Sequence, residues 1–422
     1  MFPNPQDALP LPARPNLDQY KKRAKDLLKA SQSSDPSAIR TWAAEWIGSL
    51  VRLSNLTITP QLPVRIDHWT DELEDFTRKE LPPPMWGRTH SSVQPSEAKR
   101  SDAATLTAAQ FVIARAQGFE SWPKLAHHIE AATRADSTVS NFEQAADAIV
   151  TGDIAILERL LRDNPDLIRA QSTRQHQATL LHYVSANGVE GYRQKTPKNI
   201  VPITDLLLRV GADVNTVADV YGGSTTLALV ATSVHPERAR VQEALMQLLL
   251  DHGANIDSAN SPAGPLINIC LANGRAQAAE FLATRGAHLD LEGAAGVGRL
   301  DIVQKYFDDS GALKPNATNI RMQRGFLWAC EYGRNQVVEF LLQHGASLES
   351  QANTGQTPLH WAVIGGHEDT IKLLLDRGAS LEAKNVYGGT ALGQALWSAA
   401  NGDPAIDYAR IIALLKQLGA KP

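Results

Sequence analysis

The sequence predicts an all-α fold: a solenoid of helix-turn-helix units joined by short β-hairpins or loops, preceded by a small helical domain. Three observations predict it. Residues recur every 33 positions near the C-terminus. Gly345 and Gly378 each sit in an LL-x-x-G-A-S-L-E string, and the same offset relates Trp328 to Trp361, Ala329 to Ala362, Gly333 to Gly366 and Thr357 to Thr390. Fainter copies reach back to about residue 141, whereas the first 135 residues show helical apolar spacing and no such echo. A period of this length marks units that cannot bury their apolar faces alone and so must stack.

Bulk properties narrow the function classes. A chain of 422 residues exceeds one ordinary core, so an extended array or several domains are expected. A net charge of −4 gives no basic field, which argues against nucleic acid as partner. No apolar run approaches the ~20 residues of a membrane span, so no membrane association is expected. The opening "MFPNPQDALPLPARPN" lacks a basic region followed by an apolar core, so it does not resemble a secretory signal. Cys270 and Cys330 are the only cysteines, too few for a disulfide framework or a four-cysteine metal site. A cytoplasmic protein without cofactor is the expectation.

In chain order, residues 1–135 form the helical leader. "NLDQYKKRAKDLLKA" places Leu17, Tyr20, Ala24, Leu27 and Leu28 on one face, with Asn16 and Gln19 as a cap pair. Asp35-Pro36 starts a second helix carrying Trp42 and Trp46. Residues 54–102 are expected to be an irregular insertion holding Pro60, Pro63 and Pro82-Pro83-Pro84, helical only in "DHWTDELEDFTRKEL". Thr107–Gln117, closed by Gly118, and "SWPKLAHHIEAA" complete the leader. Its expected role is to cover the apolar face of the first repeat; alternatively its tryptophans line a binding site. His127, His128 and Glu130 lack metal-ligand spacing on one helical face, so no metal is expected.

From about 141 to 422 we count eight units. Gly152, Gly188, Gly274, Gly298, Gly333 and Gly366 end first helices, and the units of Gly253 and Gly419 keep only the later glycine. The unit around Gly298 is compressed, with 25 residues from Gly286 to Gly311, and is expected to have lost most of its hairpin.

"GQTPLHWAVIGGHEDTIKLLLDRGASLEA" (355–383) resembles the ankyrin repeat, in its TPLH signature, central Gly-His, leucine triplet and Gly-Ala. "AAQFVIARAQGFESWPKLAHHIE" is similar to helical leaders that precede such arrays in bacterial proteins. The resemblance implies that His182 and His360 are structural, bonding backbone at the helix start and across to the next unit. His252 and His344, ahead of capping glycines, take the same structural reading. Cys270 and Cys330 fall at small buried positions of first helices, which favours packing over redox chemistry. The resemblance also implies a protein partner held in the concave groove.

Three units depart from regularity, each between its first and second helix. The insertions fall at about 189–201, 232–242 and 398–408, and two of those units open with "VYGG", at Tyr221 and Tyr387. In this repeat family the residues just before that point face the groove. The expected groove set is therefore Asn187, Ser233, Asn273, Glu331, Tyr332 and Trp397, walled by Tyr192, Arg193 and His235 from the insertions. No GxSxG, P-loop, HExxH or strand-placed GxGxxG motif appears. An interaction scaffold is thus the first reading. The alternative is a small-molecule site or a hydrolase or lyase centred on Glu331 and Tyr332, with Glu190 or Asp403 as second carboxylate.

Overall fold

The computed structural model describes residues 4–12, 15–54, 62–81, 105–257 and 264–421. They belong to two compact units, Met1–Asn255 and Ile256–Pro422. In the first unit, α1 (Leu17–Ser31), α2 (Ala38–Leu53), α3 (Leu62–Glu80), α4 (Leu106–Ala116) and α5 (Trp122–Ala132) form the leader. Asn16 accepts hydrogen bonds from the Asp18 and Gln19 amides and so starts α1. α2 begins two residues later than Asp35-Pro36 suggests, because the Asp35 carboxylate binds the Ser37 amide and hydroxyl and holds a turn there. Pro63 lies in the first turn of α3, where its missing N–H costs nothing, so this helix starts before the residues expected of it. Pro60 and Pro82–Pro84 lie outside the described residues.

The leader has its own core. Tyr20, Leu27, Trp42, Trp46, Trp69, Leu73, Ile113, Phe119 and Leu125 are buried in one cluster, and each such side chain contributes about 1.5–3 kcal/mol of transfer free energy. α5 packs on α6 (Thr138–Thr151), the first helix of the repeat region, so the leader covers the end of the stack in this unit.

Three helix pairs follow. α6 pairs with α7 (Ile154–Asp163). A 3₁₀ helix, Leu180–Ser185, pairs with α8 (Ile200–Arg209), and α9 (Thr226–Thr232) with α11 (Gln242–Asp251), the short α10 (Val234–Arg238) lying between the last two. A hairpin of β1 (Val217–Ala218) and β2 (Ser224–Thr225) precedes α9. The second pair corrects an expectation. Its first helix is not an intact α-helix running to Asn187-Gly188, because Ser185 Oγ donates to the His182 and Asn187 carbonyls and the Asn187 amide donates back to Ser185 Oγ. That local bonding replaces the α ladder, and Ala186 turns the chain at φ +48°.

The second unit holds α12 (Leu266–Ala272), α13 (Ala276–Thr284), α14 (Leu291–Gly296), α15 (Leu300–Val303), α16 (Asn319–Glu331), α17 (Asn335–Gln343), α18 (Pro358–Ile364), α19 (Glu368–Asp376), α20 (Ala391–Asn401) and α21 (Tyr408–Gln417). α12, α14, α16, α18 and α20 stack in that order, and α15, α17 and α19 form a parallel layer. Gly366 and Gly378 show why the period keeps its glycines: both end helices in the left-handed region, at φ +74° and +93°. In the compressed unit Asp290 caps α14 four residues after Gly286, and the second helix is also short, passing into a 3₁₀ turn at Gln304–Tyr306.

The Thr–His pairing at the helix start is the same in both units. Thr357 Oγ1 lies 2.8 Å from His360 Nδ1, which accepts the Thr357 amide, while His360 Nε2 reaches the Gly389 carbonyl of the next repeat. Thr179 and His182 repeat the first part of this arrangement. His344 stacks on Phe340. Cys270 and Cys330 are fully buried, and burial pushes the Cys270 thiol up to about 12, which leaves it inert as a nucleophile.

Candidate functional site

The first insertion does not stand free in the first unit. Glu190 and Arg193 are buried, and they meet Arg174 and Glu143 in one ionic network. Arg174 grips Glu143 with two bonds of 2.5 and 3.0 Å and reaches Glu190 with its Nε at 2.8 Å. Arg193 pairs with Glu143 at 2.9 Å and with Asp147 at 2.8 Å. Burial opposes ionisation of both glutamates, but the two guanidinium groups outweigh it. Glu143 is held at about 2 and Glu190 well below the ordinary carboxylate range. Glu190 is therefore a structural counterion, not the presented loop carboxylate that the enzymatic reading requires.

The leader closes on this insertion. The 3₁₀ turn Pro5–Asp7 lies so near Gly191 that a Cβ built there would overlap the Gln6 carbonyl oxygen, and Arg65 of α3 donates to the Gly191 carbonyl. Asn187 is half-buried and bonds the Leu229 carbonyl and Thr232 Oγ1, tying the second helix pair to the third. Ser233 is buried and caps α10. His235 is half-buried, its pKa lowered by burial and by the neighbouring Arg238 and Arg65. Tyr192 and Arg193 do line a cleft of about 610 Å³ with His128 and Glu143, floored by the leader and α6. Spacing could not reveal Arg174, Glu143 and Asp147, since their partners lie tens of residues away.

In the second unit the groove residues divide. Asn273 is exposed, and its amide caps the Ile269 carbonyl at 2.8 Å. Tyr332 donates to the Leu271 carbonyl of α12. Glu331 is half-buried beside it. Burial raises Glu331 to about 7, with the Tyr332 hydroxyl pulling the other way. A carboxyl whose folded pKa lies above its unfolded value is stabilised protonated, so the unit loses stability as pH rises from about 4.5 to about 7. Glu331→Gln should remove that loss. We expect the variant to gain on the parent by about 2–3 kcal/mol between pH 5 and pH 8, read by hydrogen exchange of 319–344. Equal protection at both pH values would show that Glu331 is not buried as a proton carrier.

Trp397 is the large groove residue that stands open. It is 61% exposed, on α20. It lines a cavity of about 780 Å³ with Tyr387, Ile364, Tyr408 and Asp403 of the third insertion. Tyr387, at the hairpin tip, is 79% exposed. Tyr408 is buried below, donating to the Ile364 carbonyl at 2.8 Å, and Gly402 fits against its ring where a side chain would collide. A second cavity of about 460 Å³ lies across α16 and α18, lined by Ile320, Leu327, Trp328 and Trp361. The segment 350–356 contributes to both cavities, and Trp328, Trp361 and Trp397 lie on the successive first helices α16, α18 and α20.

Comparison with known proteins agrees with this architecture. Residues 291–385 and 326–412 match the family model of ankyrin repeats in three copies. Solved structures similar to the chain include the human ASB11 ankyrin repeat domain, at 23% identity over 66% of this chain and 98% of that one, TM-score 0.34. The ankyrin repeat domain of Bcl-3, described as a unique member of the IkappaB protein family, is similar at 18% identity over 65% and 97%, TM-score 0.30. No curated protein is matched. No helix among the described residues is long and apolar enough to cross a membrane. The 33-residue period, the paired helices and the TPLH geometry agree with the family match, and residues 291–412 of the chain are ankyrin repeats.

Proposed function

We propose that the protein is an interaction scaffold that holds a partner protein on the face formed by α16, α18 and α20. Ankyrin repeats are in general protein-interaction scaffolds. The observation that carries the reading is the exposure of Trp397 and Tyr387, two large aromatic side chains lining one cavity. Large exposed aromatics cost solubility and contribute nothing to the core, whereas anchor residues of interfaces are typically Trp and Tyr.

Trp397→Ala should leave the fold intact, since the side chain is largely outside the core, and should weaken the partner complex at least about tenfold, the cost of an interface anchor. Titration calorimetry of the full chain with an isolated partner reads this. Undiminished affinity would place the interface elsewhere.

A further inference from the structure

The hairpin string Val-Tyr-Gly-Gly occurs twice, at 220–223 and 386–389, and the two copies differ in what covers them. At the first, the chain's own N-terminal segment occupies the tip. Gln6 donates its side-chain amide to the Tyr221 hydroxyl, which donates in turn to Asn187. The polypeptide of Pro5–Asp7 lies along that face against Gly191. Such a surface therefore accepts a short length of polypeptide, there a single 3₁₀ turn. At the second copy, Trp397 stands where Thr232 stands in the first, and Gly365 where Asn187 stands, so the face is wider and more aromatic.

The lining of the second copy is selective in charge. Tyr387, Trp397 and Tyr408 supply three aromatic rings. Asp403 is the one carboxylate among the described lining residues, and no lysine or arginine lines the cavity. The third insertion presents Asp403 in a fixed position, because its Oδ1 accepts the Ala405 amide at 2.9 Å. Ring faces attract cations, indole most strongly. A lysine or arginine can lay its methylene stem along the rings while its charged head stays at the wet rim beside the carboxylate. An acidic side chain would meet Asp403 with like charge, and an aliphatic one would strip water from it without return.

We propose that this cavity anchors the partner through one basic side chain: a protein segment inserts a lysine or arginine between Trp397 and Tyr387, and Asp403 pairs with its charge. This rests on the interaction reading above and names the chemistry of the occupant. The test is selection of a displayed random dodecapeptide library on the full chain, followed by anisotropy measurements with the selected peptides. Selected peptides should share a lysine or arginine at one position. Replacing it with norleucine should weaken binding about tenfold, and Asp403→Asn should weaken the basic peptide about fivefold while leaving the norleucine peptide unchanged. Peptides that need Trp397 but show no basic position, or bind equally well with norleucine, overturn this proposal and leave the scaffold reading standing. If no selected peptide loses affinity on Trp397→Ala or on Tyr387→Ala, both readings fall. Tyr387 provides the second variant because its exposure makes a folding defect on truncation implausible.

Discussion

Glu190→Gln should destabilise the first unit by about 3–5 kcal/mol, the usual result of removing one partner from a buried ion cluster. Arg174 is 2% exposed and its Nε bonds Glu190 directly. Arg193, His176 and Tyr183 also face this carboxylate, at 3.5 Å. A neutral amide keeps the shape but leaves the two guanidinium groups with less compensating charge in a site that excludes water. Hydrogen exchange of peptides from 105–255 reads the loss, with 319–421 as internal control. Replacing Arg174 by Met together with Glu190 by Leu should cost less than the sum of the single changes, because the pair removes charge and countercharge together. Exchange in Glu190→Gln that matched the parent would show that the network does not hold the insertion in place.

Buried groups of the first unit set its response to acid. His128 and His182 are each lowered to about 4 by burial, below the unfolded value of 6.5, and Glu143 lies at about 2 against 4.5. In all three cases the unfolded chain takes up the proton first as pH falls. Stability is therefore lost on acidification, from about 6.5 to 4 through the histidines and from about 4.5 to 2 through Glu143. Glu331 in the second unit has the opposite sign. Mild acid should thus loosen the first unit while relieving the second, and exchange mapped at pH 7.5 and pH 5 separates them.

Much of this architecture was legible in the sequence because its determinants are local. The capping glycines, the Thr-His pair of TPLH and the alternation of short helices all act within one repeat, so they recur at a fixed offset. The "VYGG" strings and the insertion points were visible for the same reason, and they led to Trp397 and Tyr387. What stayed hidden is long-range. Glu190 and Arg193 look like solvated loop residues until Arg174 and Glu143 are placed beside them. Ala186 looks like one more helical residue until the Ser185 hydroxyl is seen to intercept the ladder. Tyr332 and Glu331 have the residue types of a catalytic pair, yet the tyrosine is committed to the Leu271 carbonyl.

Gly365→Ala should be the most damaging single methyl in the second unit, at about 3 kcal/mol or more, the upper range for overpacking. Gly365 sits at the end of α18 with ordinary helical angles, φ −72° and ψ −11°, so its glycine is not required by the backbone. It is required by approach. A Cβ there would overlap the Glu331 carbonyl oxygen at the end of α16 and meet His367 at 2.7 Å. The obstacle is main chain on one side and a half-buried ring on the other, so neither can yield without moving a helix end. The pair α16 and α18 must then separate, and with it the spacing of Trp328 and Trp361 along the proposed binding face. Both stability and partner affinity should fall, unlike Trp397→Ala, which should spare stability. Thermal unfolding of the two variants side by side distinguishes them. A Gly365→Ala protein that melts with the parent would mean the helix ends are not held as close as the structure places them.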